Sequence, residues 1–320
     1  MNNVASTVEK YGVLPVINIT DTDMALPLAK ALVDGGLPLI EVTLRSACSL
    51  EAIKIIREGY PDMLIGAGTV LTTDSVDQAL CAGADYIVSP GYDRELVEYC
   101  HSKGVCIVPG CSSASEIQDA VKHGVKTIKF FPAELGGGVP AIKLLAGPFA
   151  GVKFLPTGGI TLDNLEEYLS CDKVIACGGS FMATANQLKN GDYDGITAAC
   201  KKAVALSLGF KLAHIGINHE NAEDAASTAN AIASVFGFGT RVCSSSTFAG
   251  TVAECMNHPK YGDCGHIGIS THSMTRAMAY LAAKGVEFDE DSIKRDKSGN
   301  ITCIYFKQQI GGFAWHIVKD

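Results

Sequence analysis

A lysine stands in the middle of the stretch TIKFFP, residues 127–132, whose β-branched and aromatic residues, stopped by proline and then glycines, read as a short strand. Burying an ammonium among phenylalanines is costly unless it is paired or neutral. Side chains alternate along a strand, so Thr127, Lys129 and Phe131 share one face and Ile128 and Phe130 the other. In EVTLR, residues 41–45, the same alternation groups Glu41, Thr43 and Arg45; in GAGTV, residues 66–70, it groups Ala67 and Thr69. The apolar partners belong against a helix layer, which turns the polar set inward. Desolvation favours an uncharged amine, and a neutral amine attacks ketones to form a Schiff base. The iminium then accepts the electrons of a breaking carbon–carbon bond. Glu41 suits the proton transfers, and Arg45 suits the carboxylate of a 2-keto acid. The plain alternative is a core ion network of Lys129, Glu41 and Arg45 without chemistry.

A separate signal comes from PTGGI (156–160) and CGGS (177–180), two Gly-Gly pairs that each follow a strand. Glycines let backbone N–H groups approach an anion closely, and Ser180 adds a hydroxyl. Two tight turns of small residues are the structural alternative. The run LGGG, through Gly136 and Gly138, reads as a flexible loop.

These residues sit on a steady alternation that runs to about residue 207. Eight strands are expected, within VLPVINI, LPLIEVTLR, MLIGAGTV, YIVSPG, CIVPGC, TIKFFP, KFLPTGG and KVIACGGS. Amphipathic stretches such as LEAIKIIREGY and SEIQDAVKHG lie between them, several closing on Gly and several preceded by Asp, Ser or Thr caps. Strand alternating with helix predicts parallel β/α units, and eight in about 200 residues fit a (β/α)₈ barrel better than an open doubly wound sheet. Barrel strands carry chemistry at their C-terminal ends, and the phosphate position of such barrels follows strands seven and eight.

Composition sets the outer limits. The 320 residues suffice for two domains, and the net charge of −8 argues against a nucleic-acid or anionic-membrane surface. Most of the twelve cysteines sit singly in apolar runs, none in a CxxC, which reads as reduced thiols of a cytoplasmic protein. The opening MNNVASTVEKYG has no basic-then-apolar pattern, so no signal peptide is expected.

Taken in order, EVTLR, GAGTV, SPG, VPG, KFFPAE, AGPF, PTGGI and GGS resemble the class I KDPG/KHG aldolases over residues 1–207. The resemblance implies a homotrimer of (β/α)₈ subunits that cleaves 2-keto-3-deoxy-6-phosphogluconate, or 4-hydroxy-2-oxoglutarate, without a cofactor. It implies Lys129 as Schiff-base lysine, Glu41 as general acid/base, and Arg45 and Thr69 as ligands of the pyruvyl carboxylate. Pro90 and Phe131 would line the pocket. Thr157, Gly158, Gly159, Gly178, Gly179 and Ser180 would hold the sugar end and phosphate of a small phosphorylated 2-keto acid. Thr157 favours the gluconate-derived epimer over the galactonate one. Two departures stand out: Asn18, where many members have a basic residue near the end of the first strand, and Cys111 in place of an aliphatic residue. Cys111 reads as core filler.

From about Leu208 the pattern changes to a faint tandem repeat. KLAHIGINHENAEDAASTANAIASVFGF parallels DCGHIGISTHSMTRAMAYLAAKGVEF, and each copy later ends in a strand, FAGTVAECM or IGGFAWHIV. Aligning Gly250 with Gly312 sets Glu254 opposite His316. Residues 208–320 resemble the vicinal-oxygen-chelate fold of glyoxalases and bleomycin-resistance proteins, a smaller α+β domain of βαβββ modules. That resemblance implies a divalent metal on His214, Glu254, His266 and His316, with His316 where the family pattern has a carboxylate. A small-molecule-binding or assembly module without metal is the alternative.

Overall fold

In the computed structural model, which describes residues 2–320, the chain divides into two compact units, one ending at Ser207 and one running Leu208–Asp320. No described helix is long and apolar enough to cross a membrane.

The first unit is built of parallel strands: β1 (Val13–Ile17), β2 (Leu39–Thr43), β3 (Leu64–Gly68), β4 (Tyr86–Val88), β5 (Cys106–Val108), β6 (Gly110–Cys111), β7 (Thr127–Phe130), β8 (Lys153–Pro156) and β9 (Cys177–Gly179). One arc has the order β5-β4-β3-β2-β1-β9 and the other β6-β7-β8, every pairing parallel. Bridges Phe154–Val174 and Thr157–Gly178 tie the end of the second arc to β9. The segment expected as a fifth strand is split into β5 and β6 at Pro109, which has no N–H for a ladder. Its carbonyl still accepts from the Lys129 N–H at 2.9 Å, so the break is spanned.

Helices follow nearly every strand and start where their caps stand. Thr72 and Ser75 form a capping box ahead of Thr73–Ala82, Ser113 and Glu116 another ahead of Ala114–Lys122, and Asp93 caps Arg94–Ser102. The glycine run after β7 is not merely a loop: Gly136 and Gly137 turn the chain and helix Gly138–Ala146 begins. The core lies between strands and helices. Ile40, Val42, Ile128 and Phe130 are fully buried there, and Phe130 meets Phe154 edge to face. Their strand neighbours Glu41, Thr43 and Lys129 are buried too, on the opposite face.

The second unit carries one mixed sheet. Its strands are β10 (Lys211–Asn218), β11 (Thr240–Val242), β12 (Ser246–Ala249), β13 (Ala253–Met256), β14 (Gly265–Thr271), β15 (Phe288–Arg295), β16 (Ile301–Ile310) and β17 (Phe313–Lys319). Their order is β11-β12-β13-β10-β14-β17-β16-β15. Helix Ala222–Phe236 follows β10 and helix Met274–Ala283 follows β14, so each half runs β-α-β-β-β with its first strand parallel to its last. The halves join through the antiparallel pair β10–β14.

Candidate functional sites

Lys129 on β7 and Glu41 on β2 are 88 positions apart in sequence and meet through a 3.0 Å bond from Nζ to Oε1. Glu41 is fully buried and Lys129 is 6 % exposed, so the pair sits where solvent screens little. The second carboxylate oxygen of Glu41 is buried without a partner. Gly68 on the adjoining strand β3 makes this possible, because a Cβ there would lie 2.2 Å from Glu41 Oε1.

Above the pair opens a cavity of about 190 Å³. Lys129, Arg45, Thr69, Pro90, Phe131, Thr157, Gly158, Gly159, Gly179 and Ser180 line it, gathered from the ends of six strands. Gly178 does not reach the lining. It lies beneath Thr157, whose Oγ1 would be 2.5 Å from a Cβ at that position. Lys129 Nζ stands 5.6 Å from the Phe131 ring centroid, within cation–π range. Arg45 Nε donates to Thr43 Oγ1 at 3.2 Å, and its side chain remains exposed at the mouth. Thr157 Oγ1 is buried and unpartnered.

Sequence reading missed three features here. Thr69 has φ +59°, the one non-glycine residue with positive φ among those described. A β-branched residue there is strained, and such strain gathers where a side chain must be aimed. Alternation sets Thr43 on the inward face, but only the structure shows it as the acceptor that orients Arg45. Lys189 lines an adjoining cavity and comes from a helix beyond β9, with no local signal to flag it. Cys111 is buried, and burial pushes its thiol up to about 12, which makes it a poor nucleophile.

In the second unit the four residues singled out converge. Glu254 Oε2 lies 3.2 Å from His266 Nε2 and 3.4 Å from His214 Nε2, and His214 Nε2 lies 3.2 Å from His316 Nε2. One ligand-type atom from each histidine falls within 4.8 Å of the others. Cross-strand register explains the convergence. Gly216 pairs with Glu254 on one side and His266 on the other; Gly268 pairs with His214 and His316. A Cβ on Gly216 would be 2.0 Å from the His266 ring, and one on Gly268 would be 2.7 Å from His316 Nε2 and 2.8 Å from His214 Cε1. The twice-used His-Ile-Gly-Ile thus supplies both a histidine and the gap that accommodates the histidine opposite. The glycine of that repeat was the available signal.

Burial, followed by the neighbouring imidazoles, holds His316 down to about 3, and burial also lowers His214. Burial raises Glu254, but hydrogen bonds from His266 and Ser246 outweigh it and hold the carboxyl down to about 2. At neutral pH His214 and His316 are therefore neutral beside an ionised carboxylate. Cys303 Sγ lies 3.3 Å from His316 Nδ1, and Tyr305 stacks on the His316 ring at 4.5 Å. A cavity of about 520 Å³ opens beside the cluster.

A parallel α/β unit with a buried lysine–glutamate pair at its strand ends is the frame of a Schiff-base lyase. The family model of KDPG and KHG aldolase matches residues 4–199, and the chain belongs to that family. The 2-dehydro-3-deoxy-phosphogluconate aldolase of Treponema pallidum is 43 % identical over 64 % of this chain and 98 % of its own length. That of Dickeya dadantii is 43 % identical over 60 % of this chain and 91 % of its own. Among solved structures, KDPG aldolase from Legionella pneumophila, with pyruvate captured at low pH as a covalent carbinolamine intermediate, matches with a TM-score of 0.62. It is 39 % identical, over 63 % of this chain and 99 % of that one.

Proposed function

We propose that the first unit is a Schiff-base aldolase that cleaves 2-keto-3-deoxy-6-phosphogluconate to pyruvate and glyceraldehyde 3-phosphate. The observation that carries it is the buried Lys129–Glu41 pair at the floor of a cavity rimmed by Arg45 and the two Gly-Gly turns. Relatives at about 40 % identity bearing that activity support the substrate. In this reading Lys129 passes a proton to Glu41 and its amine attacks the C2 ketone. Glu41 returns that proton to the carbinolamine hydroxyl, which leaves as water, and an iminium remains. Glu41 then takes the C4 hydroxyl proton, the C3–C4 bond breaks, and its electron pair moves into the iminium to form an enamine. Protonation at C3 and hydrolysis release pyruvate and regenerate the lysine. Arg45 and Thr69 hold the pyruvyl carboxylate, and Pro90 and Phe131 wall the reacting carbons. Thr157, Gly158, Gly159, Gly179 and Ser180 hold the hydroxyls and phosphate, with Gly178 supporting from below.

The two strand arcs and the bridges that join them support a closed (β/α)₈ barrel. A cytoplasmic homotrimer follows the family resemblance, and light scattering of the purified chain tests the trimer. Borohydride reduction with pyruvate, followed by peptide mapping, tests the site. Label at Lys129 is expected; label at Lys126 or Lys143 instead would remove the assignment.

For the second unit we propose a pair of glyoxalase-like modules that hold a divalent metal on His214, Glu254, His266 and His316. Tetrahedral zinc with bonds near 2.0–2.1 Å requires its ligand atoms to be about 3.3 Å apart; three contacts among these four residues, at 3.2–3.4 Å, have that spacing, and the three imidazoles offer atoms within 4.8 Å of one another. Three imidazoles and a carboxylate also suit iron, nickel or manganese. A metal there would act as a Lewis acid on a ligand oxygen. Elemental analysis of the chain purified without added metal, with His214→Ala and His266→Ala as controls, tests the site. Near-stoichiometric metal lost in both variants is expected; trace metal unchanged by them would leave a module that only binds or assembles.

A further inference from the structure

We infer that Lys189 is the cation that receives the phosphate of the substrate, and so sets the preference of this chain for phosphorylated over unphosphorylated 2-keto acids. The inference rests on the aldolase reading above and adds a residue to it. A second cavity, of about 390 Å³, shares Val16, Arg45 and Ser180 with the reaction cavity. Beyond those shared residues it extends to Asn18, Thr20 and Lys189. Its lining holds two cations, Arg45 and Lys189, and no carboxylate. The charged residues that line the space next to Ser180 are thus both cations, in a chain whose net charge is −8.

The chemistry of the substrate calls for a second cation. It carries a carboxylate at one end and a phosphate near two charges at the other. Lys129 is committed to Glu41, and Arg45, held by Thr43, is assigned to the carboxylate. The Gly158–Gly159 and Gly179–Ser180 turns offer neutral donors only. The end of β1 supplies none with charge, since Ile17 is followed by Asn18, Ile19 and Thr20. Lys189, in the last turn of helix Ala185–Asn190 beyond Ser180, is exposed and lines this cavity. Lys189 has no ion pair among the described residues, so its charge is uncommitted, and a point charge on a flexible stem suits a phosphate.

The test is steady-state kinetics of the full chain on 2-keto-3-deoxy-6-phosphogluconate and on 4-hydroxy-2-oxoglutarate, which lacks the phosphate. Lys189→Gln should raise KM for the phosphorylated substrate about tenfold, the scale of one charge-assisted contact at an accessible site, while kcat stays within about twofold. Lys189→Arg should recover most of the loss. The kinetics of hydroxyoxoglutarate should stay within about twofold in both variants, which also shows that they fold. An unchanged KM for the phosphorylated substrate, or equal losses on both substrates, would overturn the role of Lys189 and leave the aldolase reading intact. If the wild-type chain handles the two substrates equally well, the phosphate reading fails and this inference fails with it.

Discussion

Both units bury a polar cluster at a sheet, and the two clusters are opposite in kind. In the first, a lysine and a glutamate neutralise each other at 3.0 Å. Breaking such a pair by removing one partner leaves an uncompensated buried charge. In the second, one carboxylate sits among three imidazoles, and His214 and His316 turn nitrogens toward each other at 3.2 Å, where only one can donate. The pair is electrically complete and needs only a substrate. The imidazole cluster, in the metal-binding reading proposed above, would be completed by a cation. This difference separates the chemistry proposed for the units: one would proceed by proton and electron-pair movements within protein and substrate, the other would take up an ion. Chelation should therefore leave aldolase turnover untouched.

The sharpest way to break the comparison is Lys129→Arg. The guanidinium keeps the charge opposite Glu41 but stays protonated and cannot form an imine. Turnover should fall to background in a coupled pyruvate assay while the metal content of the protein is unchanged. Residual turnover within about tenfold of wild type would mean that the pair is structural.

Glu41→Gln should come next in size. It removes the proton acceptor and leaves the lysine, so turnover should slow by roughly 10²–10⁴ with pyruvate still bound through Arg45 and Thr69. A single-turnover measurement with borohydride trapping separates imine formation from bond cleavage. Wild-type rates in this variant would place the proton shuttle elsewhere.

Gly268→Ala addresses the other cluster. A Cβ within 2.8 Å of two imidazoles forces them apart. Overpacking of this kind costs about 1–3 kcal/mol, and the metal stoichiometry should drop with it. Thermal unfolding should show the loss in the Leu208–Asp320 unit only, with aldolase kinetics unchanged. Metal retained at full stoichiometry would mean that the histidines are not the ligands.

The two clusters also differed in how far they could be read from sequence. The first was legible because period-two alternation assigns each strand residue a face, and both Lys129 and Glu41 break an apolar run. The second was legible only through repetition: one His-Ile-Gly-Ile is an ordinary strand, whereas two of them in matching positions imply a shared site. What stayed hidden depends on close approach between distant segments. Gly68 gives no sign that Glu41 will occupy the space its side chain would fill, and the repeated Gly216 and Gly268 signal a close approach without showing which rings stand opposite. The positive φ of Thr69 is imposed by tertiary structure against its own preference. The split at Pro109 is the exception, since proline announces a ladder break in the sequence itself.

The smallest effect is expected at Cys111, and it sharpens the contrast from the side of the thiols. Cys111 is buried beside β7, pairing through the backbone with Phe130, next in sequence to Lys129. Its position invites a chemical role. Burial, with the Glu116 charge adding to it, pushes the thiol up to about 12, so at pH 8 the thiolate is a trace species with no cation to stabilise it. Cys111→Val is close to volume-conserving at a site already lined by apolar groups, and such exchanges usually cost less than about 1.5 kcal/mol. The melting temperature should move by a few degrees at most and kcat should stay within about twofold. Iodoacetamide should modify Cys111 in the native chain far more slowly than the exposed Cys81 and Cys264, as mass spectrometry of timed samples would show. Rapid native alkylation at Cys111 that abolishes turnover would instead make the first cluster a three-residue site, and the contrast between a self-sufficient pair and an ion-seeking cluster would lose its simple form.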